Sequence, residues 1–467
     1  MGSLTSLLDL SRNALANAQT AIDVTASNIS NQNTVGYTRQ VATFTENDTV
    51  TVSGYQQGQG ASVAVASQRD RILEQRVQQQ TQVQSHDSAR LTGLQNLENL
   101  FTVTSTSADA SGIGASINSL FNSFTALQSN PTDGATRQSV LAAAQNFAAT
   151  LKGASSQISS QSSSLDQQVT TSVAQVNQLT AQLAAVNGSI ATLPASADAG
   201  ALEDKRQTFL TQISALVGIS QTSTEHNGLT LTTANGAVLV SGSTSFDLTT
   251  GNVGGVNHVF GQQGGVSTDL TATISGGSIA GLLQVRDGDI VSTKASLDTL
   301  AYGVATAINA QNSDGLGAAG SPGGNIFSLP PTSAGVSSLI SVALTSTAGI
   351  ASAGVGESVG GTTNATALAK LGSSSIVAGA TPSSAFANLL AKLGGQLSSA
   401  TSDQTTSSAV LSQATSQRNA LSGVNLDEEA AKLTQYQRSY QAAAKVFSIV
   451  DRILAAALNL GVTTSVS

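Results

Sequence analysis

Gly315-Leu-Gly-Ala-Ala-Gly320 has the G-x-G-x-x-G spacing that cradles a dinucleotide pyrophosphate. That chemistry needs a strand before the glycines and a helix after them, so that the helix N-terminus meets the phosphate. Here helical sequence precedes the motif, Ser321-Pro322-Gly323-Gly324 follows it, and the next acidic residue is the distant Glu357, so the stretch reads as a loop. Arg286-Asp-Gly-Asp289 sets two carboxylates close together, but the other oxygen ligands of a calcium loop do not follow, and a solvated helix surface or turn is expected. His86, His226 and His258 lie far apart and read as surface or hydrogen-bonded residues. Cysteine is absent, which removes thiol catalysis, disulfides and Cys-ligated metals. No Gly-Lys dipeptide or H-E-x-x-H pair occurs. Asn47, Asn187 and Asn364 begin glycosylation-type triplets at a rate chance supplies, and Met1-Gly2 with Ser6 fits only the loose myristoylation pattern. No catalytic residue, cofactor or metal is implied, and the chain is not expected to be an enzyme.

Composition points the same way. Of 467 residues only 10% are charged and 3% aromatic, yet 40% are hydrophobic, enough for a core in about three domains. The net charge of −8 argues against nucleic acid, whose phosphates are bound by clustered Lys and Arg. Apolar runs such as Ile453–Leu458 are far shorter than the ~20 residues of a membrane span, so no membrane insertion is expected. The N-terminus lacks a basic n-region, and Asp9 and Arg12 interrupt its apolar stretch; export, if it occurs, is expected without a cleaved signal.

The elements themselves are legible as periods. Leu8, Leu15, Ile22 and Ile29 are spaced by heptads, with Leu4, Ser11, Ala18 and Thr25 as a smaller companion seam, which predicts a helix that packs on helices. Gly36 and the Asn residues before it predict a turn, and 41–67 a short β excursion. Helices are expected at 69–100, at 136–193 ended by Pro194, and at 201–217 ended by Gly218. Leu229, Leu231, Asn235-Gly236, Val238 and Val240 predict a β-hairpin, with strand-like sequence running to about 277. Helix returns at 279–310; 311–380 reads as strands and loops, and 383–421 as helix. The last helix opens on Asn425 as N-cap with Glu428 completing a capping box. Leu426, Leu433, Tyr440, Phe447 and Leu454 repeat every seven residues beside Tyr436, Ala443, Val450 and Ala457, and Gly461 marks the end. The two terminal helices either only pair with each other or also pack on neighbouring molecules. Their narrow seams bury too little to offset about 1–2 kcal/mol of ordering per residue. The ends, about 1–35 and 425–467, are therefore expected to become ordered only on assembly.

Ala26-Ser-Asn-Ile-Ser-Asn-Gln-Asn-Thr-Val-Gly-Tyr37 resembles the N-terminal signature of bacterial flagellar axial (rod and hook) proteins, close to A-x-N-I-A-N-x-x-T-x-G-Y. Ser422-Gly-Val-Asn-Leu-Asp-Glu-Glu-Ala430 through Tyr436-Gln-Arg-Ser-Tyr440 resembles the matching C-terminal signature. Within that family, Gly36–Gln40, Glu203–Arg206 with Leu216–Ile219, Val238–Gly242 and Ile279–Asp287 resemble the hook–filament junction group, with Gly361-Thr-Thr-Asn-Ala365 approximating a further family stretch. The resemblance implies an α+β multidomain fold with paired terminal heptad helices, a central long-helix bundle and an inserted β-rich domain. The expected division is a terminal-helix domain (1–40 and 422–467), a helical bundle (41–218 and 279–421, with small β elements and the Gly/Ser-rich 311–380), and a β insert (219–278).

It further implies a structural adaptor of the flagellum at the hook–filament junction, extracellular and exported by the type III route. Its partners would be copies of itself, the hook protein, a filament-side junction protein and a cytoplasmic export chaperone at the C-terminal helix. Assembly would run through Leu8, Leu15, Ile22 and Ile29 on one helix and Leu426, Leu433, Tyr436, Tyr440, Phe447, Val450 and Leu454 on the other. Asn28, Asn31, Thr34, Gly36 and Tyr37 carry the axial motif. The alternatives are a hook or distal-rod protein, or a secreted adhesin with a β binding head.

Overall fold

The computed structural model describes residues 2–34, 36–52, 55–102, 112–194, 199–223 and 228–459; His226 and Gly461 lie outside them. Helix α1 (Gly2–Ser30) leads into four short strands, β1 (Gln40–Glu46), β2 (Val50–Val52), β3 (Tyr55–Gln57) and β4 (Ala61–Ser67). The bundle begins with α2 (Arg71–Thr102), α3 (Ile113–Ser129), α4 (Gly134–Ala191) and α5 (Gly200–Leu216). Seven strands follow: β5 (Ile219–Ser223), β6 (Leu229–Thr233), β7 (Val238–Ser241), β8 (Thr244–Ser245), β9 (Thr249–Val253), β10 (Val256–Gln263) and β11 (Val266–Asp269). The chain then returns to helix through α6 (Gly277–Gln284) and α7 (Ile290–Ser313). Short strands and the small helices α8 (Val336–Leu339) and α9 (Thr363–Lys370) fill the Gly/Ser-rich segment before α10 (Pro382–Ser422) and α11 (Leu426–Asn459).

Helix α4 is the spine. Its 58 residues span about 87 Å at 1.5 Å per residue. Asp133 caps its start, accepting from the Thr136 N–H at 2.8 Å, and Phe147, Leu151, Ile158, Leu165, Val169, Val176 and Leu183 run buried down one stripe. Helices α3, α5, α6, α7 and α8 pack on it. Phe147 meets Phe327 edge-on, with centroids 5.9 Å apart. Helix α2 packs along α10, where Arg76 bonds Gln417.

The β region forms two antiparallel sheets, ordered β5-β6-β7-β8 and β11-β10-β9. The hairpin expected at Asn235-Gly236 is present, with Gly236 at φ 87° and a bulge between Leu231 and Thr232. Asn177 and Asn187 of α4 bond the backbone of Leu248 and Gly242 and seat both sheets on the spine.

Four expectations change. Helix α3 is an element the heptad reading passed over, although Ile113, Ile117, Leu120, Phe124 and Leu127 are all buried. The helix read across 279–310 is broken by a π turn at Val285–Asp289. That turn overturns the solvated reading of Arg286-Asp-Gly-Asp289. Arg286 is 2% exposed and pairs with Asp166 at 2.7 Å and Asp287 at 2.7 Å, while Asp289 is buried against Arg90 at 3.3 Å and Gln396 at 2.9 Å. Widening the turn swings a long cation inward to Asp166 of α4 and the Asn257 carbonyl, a placement composition could not reveal. Finally, 311–380 carries α9 beside its strands and loops.

Candidate assembly interface

Helices α1 and α11 lie against each other along their length. Asn28, near the end of α1, meets Glu429, at the start of α11, so the pair is antiparallel. Its inner face on α1 is made of small residues: Ser11, Ala18, Ala21, Val24, Thr25 and Asn28 are buried. The larger heptad residues Leu8, Leu15, Ile22 and Ile29 flank that seam and stay half-buried. On α11, Leu433, Tyr436, Phe447 and Leu454 are half-buried and Val450 is 2% exposed, whereas Leu426 and Tyr440 are more exposed, at 44% and 38%. Apart from Val450, the large heptad residues picked out from sequence therefore flank the buried seam rather than form it.

A second apolar stripe on α11 went unread. Ala442, Val446, Ile449, Ile453 and Ala456 are all exposed, Ile449 at 57%. Their spacing of four, three, four and three residues is one face of a 3.6-residue helix and was available in the sequence.

The axial motif is a turn with its polar groups used inward. Asn31 bonds back to the Ser27 carbonyl at 3.0 Å and accepts from Thr34 Oγ1 at 3.2 Å. Gly36 takes φ 85°, and a Cβ there would lie 2.5 Å from Thr208 Oγ1, so glycine answers both backbone and space. Asn28 Nδ2 donates to the Gln40 carbonyl at 2.8 Å and to Glu429 Oε2 at 2.9 Å. Its Oδ1 accepts from the Tyr37 hydroxyl at 2.8 Å and the Gln40 N–H at 3.0 Å. Burial pushes the Tyr37 hydroxyl above its ordinary pKa of 10.0.

Arg39, which the motif reading did not single out, completes the arrangement. Its Nε donates to Glu429 Oε1 at 2.8 Å and its Nη2 to Glu428 Oε1 at 2.5 Å. Glu428 was expected to close a capping box; instead it turns to Arg39 and to Lys432 at 3.0 Å, and the Arg39 hydrogen bond draws its pKa down to about 2. Asn425 does cap the helix, accepting from the Asp427 N–H at 3.0 Å.

This knot is tied to the bundle. The Arg39 N–H donates to the Ser422 carbonyl at 2.9 Å, and the Thr38 N–H to Asp204 Oδ2 at 3.1 Å. Arg69 gathers Asp204, Glu203 at 3.2 Å and Glu74 at 3.5 Å. Burial lifts the Glu74 carboxyl above its usual range against the opposing pull of Arg69 and Arg418. The β1–β4 hairpin rests on α1: Asn17 Nδ2 donates to the Ala61 carbonyl, and Phe44 stacks tilted on Tyr436 of α11 with centroids 6.1 Å apart.

The described residues hold no group of three or more potential metal ligands and no helix long and apolar enough to cross a membrane. His86 pairs with Asp87 at 2.9 Å and His258 with Asp269 at 2.6 Å, each as a side-chain hydrogen bond. A groove of about 680 Å³ between α2 and α4 is lined by neutral hydroxyls and amides, Ser85, Ser88, Thr92, Gln168 and Thr171 among them.

Terminal helices bound by this motif define the class. Residues 8–38 match the flagella basal body rod protein family, and residues 416–460 the C-terminal family of the flagellar basal body rod FlgEFG proteins. Residues 94–327, half the chain, match the family described as flagellar hook-associated protein FlgK helical domain, and the chain belongs to that family. It is a structural component of the bacterial flagellum. It is 25% identical to flagellar hook-associated protein 1 of Salmonella typhimurium, across 98% of this chain and all of the relative. It is 26% identical to the Bacillus subtilis protein of the same name, across 97% of each. In fold it resembles the flagellar hook junction protein FlgK of Burkholderia pseudomallei, with TM-score 0.66 and 18% identity over 75% of this chain and all of that one.

Proposed function

We propose that this protein is the adaptor between hook and filament, a subunit that joins copies of itself and neighbouring axial proteins through the α1–α11 pair. The observation that carries the reading is the pair itself. One face of α11 is used on α1, and a second apolar face, Val446, Ile449 and Ile453, is left to solvent at a chain terminus. Exposed apolar stripes of this kind mark association surfaces. The relatives' names place them at the hook, and the long α4 favours a junction protein over a hook or distal-rod protein.

On this reading 1–40 and 422–467 form the axial domain, the central bundle and the 219–278 sheets project from it, and no step of catalysis is involved. The hook protein lies on one side, a filament-side junction protein on the other, and an export chaperone holds the C-terminal helix before secretion without a cleaved signal. Antibody labelling of isolated flagella tests it. A single band between hook and filament is expected; label along the whole hook supports a hook or rod subunit instead.

A further inference from the structure

The inner seam of the terminal pair has a weakness that its polar end removes. The small residues Ser11, Ala18 and Thr25 repeat every seven positions, as do Leu8, Leu15, Ile22 and Ile29 beside them and Leu433, Tyr440, Phe447 and Leu454 opposite. Sliding one helix past the other by a heptad, about 10 Å, would set like residues against like. Apolar packing alone therefore discriminates poorly between the two registers.

The connections differ in length. Helix α11 is fixed to α10 by the short link Gly423–Asn425, but α1 is joined to β1 through the longer run 31–39. A slide would therefore have to be taken up by α1.

We propose that Asn28, Arg39 and Glu429 form a register key for the terminal helix pair, making Arg39 a positioning residue for the assembly face. Glu429 is 1% exposed, Asn28 1% and Arg39 7%. Glu429 receives two side-chain donors from the N-terminal segment, Asn28 Nδ2 at 2.9 Å and Arg39 Nε at 2.8 Å. A slide of one heptad sets Asn28 opposite Tyr436 or Ser422. The buried Asn28 amide and Glu429 Oε2 would then lose each other, while Arg39, held on the Ser422 carbonyl, keeps Glu429 oriented through Oε1. Buried polar pairs are the best-attested means by which helix pairs choose one register over another. Arg39 also donates its backbone N–H to the Ser422 carbonyl at 2.9 Å, so the key references α1 to the end of α10 as well as to α11. The stripe Val446, Ile449 and Ile453 is then presented at one height relative to the heptads of α1. The key acts within one chain and stands whether or not the junction reading holds.

The absence of cysteine makes a clean test possible in the full-length purified chain. Ala21→Cys is combined in turn with Ala443→Cys, Tyr436→Cys and Glu429→Cys, and each pair is oxidised; disulfides trap the register in which the helices close, even where the ends open and reclose. Because Glu429→Cys removes the key, that rung serves as a control, and the parent comparison uses the other two. In the parent, one rung is expected to exceed its neighbour a heptad away by about ten-fold, as for helix pairs keyed by a buried polar group. The double variant Asn28→Ala, Arg39→Ala should bring the two rungs within about three-fold of each other, because only then does the repetitive apolar seam stand alone. Glu429→Gln offers one acceptor oxygen where the two donors bond separate oxygens, so its amide faces Asn28 or Arg39 and it should move the rungs toward equality, while Glu428→Ala, which removes only the half-exposed carboxylate, should retain the parent pattern. Circular dichroism of each variant verifies that the central bundle is folded. A single dominant rung in the Asn28→Ala, Arg39→Ala double variant, equal rungs in the parent, or equal spreading in Glu428→Ala would each overturn the key.

Discussion

At the scale of single residues, Arg39 and Glu428 give the terminal pair an acid-sensitive edge. The Glu428 carboxyl has a folded pKa of about 2 against its usual 4.5, chiefly through its hydrogen bond from Arg39. A carboxylate held down in this way stabilises the fold above about pH 4.5 and loses that contribution as pH falls toward 2. Glu74 works in the opposite sense: burial raises its pKa, so protonation relieves a cost. Comparing the parent with Glu428→Gln isolates the first effect. Their difference in thermal midpoint should be present at pH 6, small because Glu428 is half exposed, and should vanish toward pH 2; a difference independent of pH would dismiss this role. Arg39 and Glu429 were both in view in the sequence, three residues past the turn glycine Gly36 of one signature and inside the other. Nothing in either spacing says that residues 390 positions apart share a hydrogen bond, which only the meeting of the two chain ends creates.

At the scale of elements, period was the reliable signal and its interruptions were not. The 58 residues of α4 follow from a sustained apolar stripe and a terminating proline, and the Asn235-Gly236 hairpin from the turn chemistry of its two central residues. The π turn at Val285–Asp289 left no trace in the apolar pattern, because Leu283, Ile290, Leu297 and Val304 keep a seven-residue spacing straight across it. On the terminal pair the large heptad residues drew attention, yet the most buried positions of α1 are small, Ala21, Ala18 and Ser11 among them. Two adjacent positions on α11 separate the two faces. Val450→Asp buries a charge in the pair and should release α1 from α11, read as loss of Ala21–Tyr436 cysteine cross-linking. Ile449→Asp, 57% exposed in the single chain, should leave that cross-link intact and abolish incorporation into the flagellum in a motility complementation assay. Wild-type swimming by the Ile449→Asp variant would remove the outward stripe from the assembly surface.

At the scale of the whole molecule, stability is unevenly distributed. The bundle and the two sheets share one contiguous apolar core from Leu94 to Ala400, while the terminal helices lie outside that cluster and are held by a thin seam and the polar knot. Local opening should follow that division. Limited trypsin digestion of the free monomer should cut first at Arg12, Lys445 and Arg452 on the terminal pair, and only later at Lys152, which is exposed on α4. Early cleavage at Lys152 with intact ends would show the pair to be as firmly ordered as the bundle.

The hairpin joining β9 to β10 turns through Gly254 and Gly255, both at positive φ with open space around them, in a sheet seated on α4. A peptide epitope or small fluorophore-binding tag spliced between those two glycines would hang from the outer sheet without touching either chain end. The same turn thus gives a handle by which living flagella could be marked where this subunit resides.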